Sequence, residues 1–195
     1  VEKYGGILEN EHAAEAHIYA VLRNVSGKRL PIQTVQMKAV GANGKALHEE
    51  RYVSHLPDVI EPGETMIVSE WMYDFTKEIG RGSGIEITVE TSTRAYTRWT
   101  RLDGVRAWRE GQYLCVELTN TTEETLYGAV CGAILEDADG RILDAMMQSA
   151  YATEDMGLLP GSSVIWRKRL EDSATLEIGT GELTCEAWAY RIEEI

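Results

Sequence analysis

Residues 114–120 read Leu114-Cys115-Val116-Glu117-Leu118-Thr119-Asn120, and residues 18–24 read Ile18-Tyr19-Ala20-Val21-Leu22-Arg23-Asn24. Both stretches put apolar side chains on alternate positions and end on Asn, the pattern of a half-buried strand running into a turn. The two lie 96 residues apart, and at that offset Leu30 falls on Leu126, Gly44 on Gly140 and Leu47 on Leu143. After an insertion of two residues, Pro62-Gly63 falls on Pro160-Gly161, and Ile85, Ile87 and Val89 fall on Leu183, Cys185 and Ala187 at an offset of 98. A period of about 97 residues is too long for a solenoid and fits one small domain. The chain therefore reads as two tandem copies arising from an internal duplication, residues 1–100 and 101–195. The boundary is expected near Thr100 to Gly104, after the strand-like Ser92–Trp99, with no Gly/Ser or Pro-rich linker to separate the copies.

Within each copy the hydrophobic period is 2. Val35, Met37 and Ala39 alternate with Thr34, Gln36 and Lys38, and Cys131, Ala133 and Leu135 take the same positions in the second copy. Turn residues separate the runs: Gly41-Ala42-Asn43-Gly44-Lys45 and Asp137-Ala138-Asp139-Gly140-Arg141, then Glu61-Pro62-Gly63 and Leu159-Pro160-Gly161. Short strands at this spacing predict an all-β chain of two tandem immunoglobulin-like antiparallel β-sandwich domains. Helix is limited to single turns expected over 74–80 and 171–179.

This order of strand, Asn-polar turn, strand, Asp-x-Asp-Gly, strand and Pro-Gly resembles the FxLYD-type and related immunoglobulin-like domains of bacterial extracytoplasmic proteins. Ala133-Ile134-Leu135-Glu136-Asp137 sits where the name-giving motif of that family sits and keeps its Leu and Asp; Met37-Lys38-Ala39-Val40-Gly41 of the first copy keeps neither. The resemblance implies a secreted or surface-anchored β-sandwich without established catalysis. It carries over no site residues and no cofactor.

Composition sets the remaining bounds. The 195 residues carry 19 basic against 32 acidic side chains, a net charge of −13, which repels nucleic-acid phosphates. No polybasic cluster favours an anionic membrane surface, and no apolar run approaches the length of a span, so direct membrane insertion is not expected. Residues 1–100 hold 11 basic and 14 acidic groups and residues 101–195 hold 8 and 18, so the acidity is concentrated in the second copy. Val1–Asn10 lacks a basic segment followed by an apolar one, so a secretory signal is expected to be already removed or never present.

Several clusters resemble chemical sites. Glu136, Asp137, Asp139 and Gly140 resemble a calcium-loop fragment, but the twelfth loop position is Gln148 and the first copy has Ala42-Asn43-Gly44 instead, so a hairpin turn is expected and no metal is assigned. His48, Glu49, Glu50 and His55 lack the spacing of a helical zinc motif and read as strand and loop. Gly80-Arg81-Gly82-Ser83-Gly84 precedes a strand and not a helix, which argues against a phosphate loop. No Ser or Thr has a paired base, and no catalytic residue is assigned. Cys131 and Cys185 read as small core residues on one buried face that could form a disulfide, and Cys115, on the alternate face, as the most reactive thiol. Asn24-Val25-Ser26 and Asn120-Thr121-Thr122 are formal glycosylation sequons read as strand-end turns. Trp71 with Tyr73, and Trp188 with Tyr190, form the candidate ligand-facing aromatic pairs.

Together these readings predict a non-catalytic binding or spacer module of an exported or cell-envelope protein, recognising a protein or glycan. Two alternatives stand beside it: a hydrolase with a site at the domain junction, using His48 or His55 with Glu49, Glu50 or Asp58, and a proteinase-inhibitor-like module.

Overall fold

The computed structural model describes residues 2–10, 15–72, 84–150, 157–170 and 182–194. It is all-β: these residues contain no helix, and every strand pairing is antiparallel. The helical turns expected over 74–80 and 171–179 lie outside the described residues, as do Tyr73 and residues 80–83.

The chain divides into two compact units, Val1–Arg94 and Ala95–Ile195. Strand β9 (Thr97–Leu102) pairs along β15 (Thr184–Glu194), so its backbone belongs to the second unit. The boundary expected at residue 100 falls inside that strand.

In the first unit, β1 (Lys3–Asn10), β2 (Glu15–Arg23), β7 (Thr65–Met72) and β5 (Ser54–Leu56) form one sheet in that order. The other holds β4 (Ala46–Glu50), β3 (Leu30–Val40) and β8 (Gly84–Thr91), with the two-residue β6 (Val59–Ile60) on the start of β3. Ile18, Ala20, Met66 and Val68 from one sheet meet Val35, Met37 and Ala39 from the other in a single core. The alternation read from the sequence thus decides which face of β2 and β3 is dry.

In the second unit, β10 (Val105–Glu110), β11 (Tyr113–Thr119) and β14 (Ser163–Arg169) form one sheet, and β13 (Ile142–Ala150), β12 (Ala129–Glu136), β15 and β9 the other. Leu114, Val116 and Leu118 meet Cys131, Ala133 and Leu135 between them. Strand β12 is buried at every residue, so both its faces are covered. The chain passes from β9 in one sheet to β10 in the other through Asp103-Gly104. The Gly104 carbonyl accepts the Thr119 amide at 2.7 Å, and a Cβ at Gly104 would stand 2.1 Å from the Thr119 oxygen. Only glycine fits that approach.

Pairings recur between the units. Tyr19 faces Ser69 as Cys115 faces Arg167, and Ala39 faces His48 as Leu135 faces Asp144. The last strands differ from the sequence alignment: Val35 faces Val89, whereas Cys131 faces Ala189. Ile85, Ile87 and Val89 therefore correspond to Cys185, Ala187 and Ala189, two residues beyond the positions expected. A slip of two keeps every side chain on its face, so alternation could not detect it. The same register answers the disulfide question. Cys131 lies opposite Ala189 and Cys185 opposite Leu135, a stagger of about 13 Å along the strands at 3.3 Å per residue. That is beyond disulfide reach, and all three cysteines are free thiols.

Candidate functional site

Each sequon asparagine is buried and bonded at both ends of its amide. Asn24 is 4% exposed and Asn120 is 1% exposed. The Asn24 amide nitrogen donates to the carbonyls of Lys28 at 2.8 Å and Ile60 at 3.0 Å; its oxygen accepts from the Ser26 amide at 3.0 Å and the Ser26 hydroxyl at 2.7 Å. Asn120 repeats this on Glu124 at 2.8 Å, Leu158 at 2.7 Å, and Thr122 at 3.0 and 2.7 Å. The backbones also match: Asn24 exchanges bonds with Glu64 and Gly63, and Asn120 with Ser162 and Gly161. Each asparagine thus ties the strand-end turn to the Pro-Gly turn, and the nitrogen that glycosylation would modify is already bonded twice.

The Asp-x-Asp-Gly segment is a hairpin turn. Asp137 accepts the backbone amides of Asp139 at 3.0 Å and Arg141 at 2.9 Å through one carboxylate oxygen, and Arg141 lies 3.3 Å from the other. Those bonds, that from the Arg141 amide first, hold the Asp137 carboxyl below the usual carboxylate range. In the first unit Asn43 accepts the Lys45 amide at 2.9 Å, and Gly44 and Gly140 both adopt positive φ, 77° and 75°. Among the described residues no group of three or more His, Cys, Asp or Glu stands together as a cation site.

Of the histidine and carboxylate residues singled out, His55 and Asp58 meet. His55 Nε2 lies 3.4 Å from Asp58, while its Nδ1 lies 3.0 Å from the Val53 carbonyl and donates to it. Burial raises the Asp58 carboxyl, and His55 works against that rise. His48 stands on β4 opposite Ala39, Glu49 lies 3.5 Å from Arg51, and Glu50 accepts the Arg51 amide at 2.9 Å.

Sequence reasoning missed a third arrangement and left every serine without a base. His17 Nε2 lies 2.8 Å from the Ser69 hydroxyl, His17 Nδ1 lies 2.5 Å from the Tyr19 hydroxyl, and the imidazole stacks on Trp71 at 4.2 Å. The row has two tautomers. If the phenol donates to Nδ1, Nε2 carries the hydrogen and donates to Ser69; only the reverse arrangement makes His17 a base. The signal was present in the alternation, which puts His17 and Tyr19 on the face of β2 opposite Ile18 and Ala20. What the sequence lacked was the register that places Tyr19 against Ser69 and His17 against Trp71.

The aromatic candidates separate. Trp188 is 4% exposed and Tyr190 1% exposed, so neither offers a surface to a ligand; Trp71 is half-buried against His17, and Tyr73 lies outside the described residues. Exposed apolar surface stands instead on the outer face of β10, β11 and β14. Tyr113 is 44% and Ile165 47% exposed, and Trp108 is half-buried under the Arg106 guanidinium, which lies 5.1 Å from its ring. Around them Arg106 pairs with Glu117, and Arg167 with Glu110 at 3.1 Å. Cys115 lies within this lattice, opposite Trp108 and Arg167, and is fully buried. Burial raises its thiol pKa, Arg167 lowers it and Glu110 raises it further. Its expected reactivity is therefore corrected: the half-buried thiol is Cys185, and burial raises that one too.

No protein-family model matches the chain, and a search of curated proteins finds no match.

Proposed function

We propose that the chain is two tandem copies of one immunoglobulin-like antiparallel β-sandwich, arisen by internal duplication, and that it serves as a non-catalytic binding or spacer module of an exported or cell-envelope protein. The recurrence of the asparagine brace, bond for bond at matching positions, supports the duplication. The resemblance to FxLYD-type domains supports the compartment. The observation that carries the binding role is the outer face of β10, β11 and β14, where Trp108, Tyr113 and Ile165 stand exposed or half-exposed among paired charges. An apolar centre rimmed by charge suits a protein or glycan, because the aromatics supply contact area and the rim supplies orientation. The mechanism is recognition and not chemistry: the polar residues that resembled sites, Asn24, Asn120 and Asp137, are engaged by their own backbone. The test is photo-crosslinking of the full chain to envelope and secreted fractions of its source cells, with the probe at Tyr113 and, as control, at the 79% exposed Tyr52. Saturable capture at Tyr113 alone supports the reading; equal capture at both sites, or none, contradicts it.

The Ser69–His17–Tyr19 row favours a second reading, a hydrolase in the first unit. Covalent labelling of Ser69 by a fluorophosphonate, abolished in His17→Gln, would move the chain into that class; an unlabelled Ser69 leaves the row a structural network.

A further inference from the structure

Lys168 and Asp144 meet inside the second unit. Lys168 lies on β14, opposite Leu114, and Asp144 on β13, opposite Leu135, so the two side chains come from facing sheets. The Lys168 Nζ stands 2.5 Å from Asp144 Oδ1. Asp144 is fully buried, the Lys168 side chain is 24% exposed, and both opposing leucines are fully buried. The backbone of Ala145 holds both reactants: its amide donates to Asp144 Oδ1 at 2.7 Å, and its carbonyl accepts from Lys168 Nζ at 3.0 Å.

From this geometry we propose that Lys168 and Asp144 condense into an intramolecular amide that covalently joins β13 to β14. One proton passes from the ammonium to Oδ1 along the existing hydrogen bond, leaving a neutral amine beside a neutral acid. The amine nitrogen attacks Cγ, one bond beyond Oδ1, after the carboxyl rotates. Carbon–nitrogen bond formation puts the negative charge on Oδ2, and the protonated Oδ1, which the Ala145 amide faces, becomes the leaving oxygen. A second proton leaves the nitrogen for the departing oxygen, the carbon–oxygen bond breaks and water departs. Of the three ammonium protons one remains on the amide and two leave in the water, with no change of oxidation state. Positioning supplies the rate, as in other intramolecular acyl transfers. The first unit cannot form this link: the corresponding positions hold Glu70, opposite Ile18, and His48, opposite Ala39, with no primary amine. The link is independent of the binding role.

The test is the intact mass of the full chain, purified after folding and measured denatured and reduced. The expected mass is one water below that of the sequence, with a proteolytic fragment in which the Asp144 and Lys168 peptides are joined. Succinimide formation at Asp103-Gly104 or Asp139-Gly140 would release the same water, so the sample is also treated with hydroxylamine, which opens a succinimide and leaves an amide intact. Lys168→Arg keeps the positive charge and should restore the full mass; Asp144→Ala should do the same. A wild-type mass equal to that of the sequence overturns the proposal, as does a deficit that hydroxylamine removes or that survives in Lys168→Arg.

Discussion

Asn120 shows how much a single side chain can hold. Removing it in Asn120→Ala takes one donor each from the part-buried carbonyls of Glu124 and Leu158, at about 1 kcal/mol each, so a loss of about 2 kcal/mol is expected in the unfolding free energy read from denaturant curves. Asn24→Ala should cost a similar amount; a change within measurement error in either would contradict the brace. The turn preference of these asparagines was legible in the sequence. The brace was not, because its far carbonyls lie 36 and 38 residues away. Asp137 gives a pH prediction. Its carboxyl is held below the ordinary value, so the stability it adds is complete above the unfolded pKa and is lost as pH falls through the lowered folded value. Melting curves of wild type and Asp137→Ala should therefore differ at neutral pH and converge in acid. Convergence toward high pH instead would reverse the sign and refute the assignment. Thiol reactivity follows burial: Cys131, its pKa pushed up to about 12, and Cys115 should resist native alkylation, with Cys185 reacting first.

At the scale of the strand, the period of 2 located β2, β3, β11 and β12 and chose their core faces. It could not place β9, because a strand reads alike whichever sheet it joins. Nor could it find the two-residue slip of β15, since both registers bury the same face. Burial of the opposite face was equally hidden: Trp188 and Tyr190 alternate with core residues as exposed platform residues do, and only the three-dimensional surroundings show them covered. Two predictions belong here. The amides of β12, buried along its whole length, should be among the slowest in the second unit to exchange hydrogen. Gly104→Ala should destabilise the second unit by about 2 kcal/mol or more, because its Cβ would collide with the Thr119 carbonyl where the chain changes sheets. Fast exchange in β12, or wild-type stability in the Gly104→Ala variant, would contradict the pairing described.

For the whole molecule, the two units share a framework and differ in the chemistry of one face. The positions of Tyr113, Cys115, Glu117, Ile165 and Arg167 in the second unit are held in the first by His17, Tyr19, Val21, Ile67 and Ser69. In the second unit Tyr113 and Ile165 are exposed; in the first His17, Tyr19, Val21 and Ile67 are buried. Under the proposed binding role, recognition falls to the second unit, whose face carries the exposed Tyr113 and Ile165. The measurement that tests this most directly is a binding isotherm of residues 95–195 alone, beside the full chain, against envelope and secreted fractions of the source cells. Residues 95–195 are expected to fold, to bind saturably with the affinity of the full chain and to lose binding in Ile165→Glu; binding that requires residues 1–94, or that survives Ile165→Glu unchanged, would contradict the assignment.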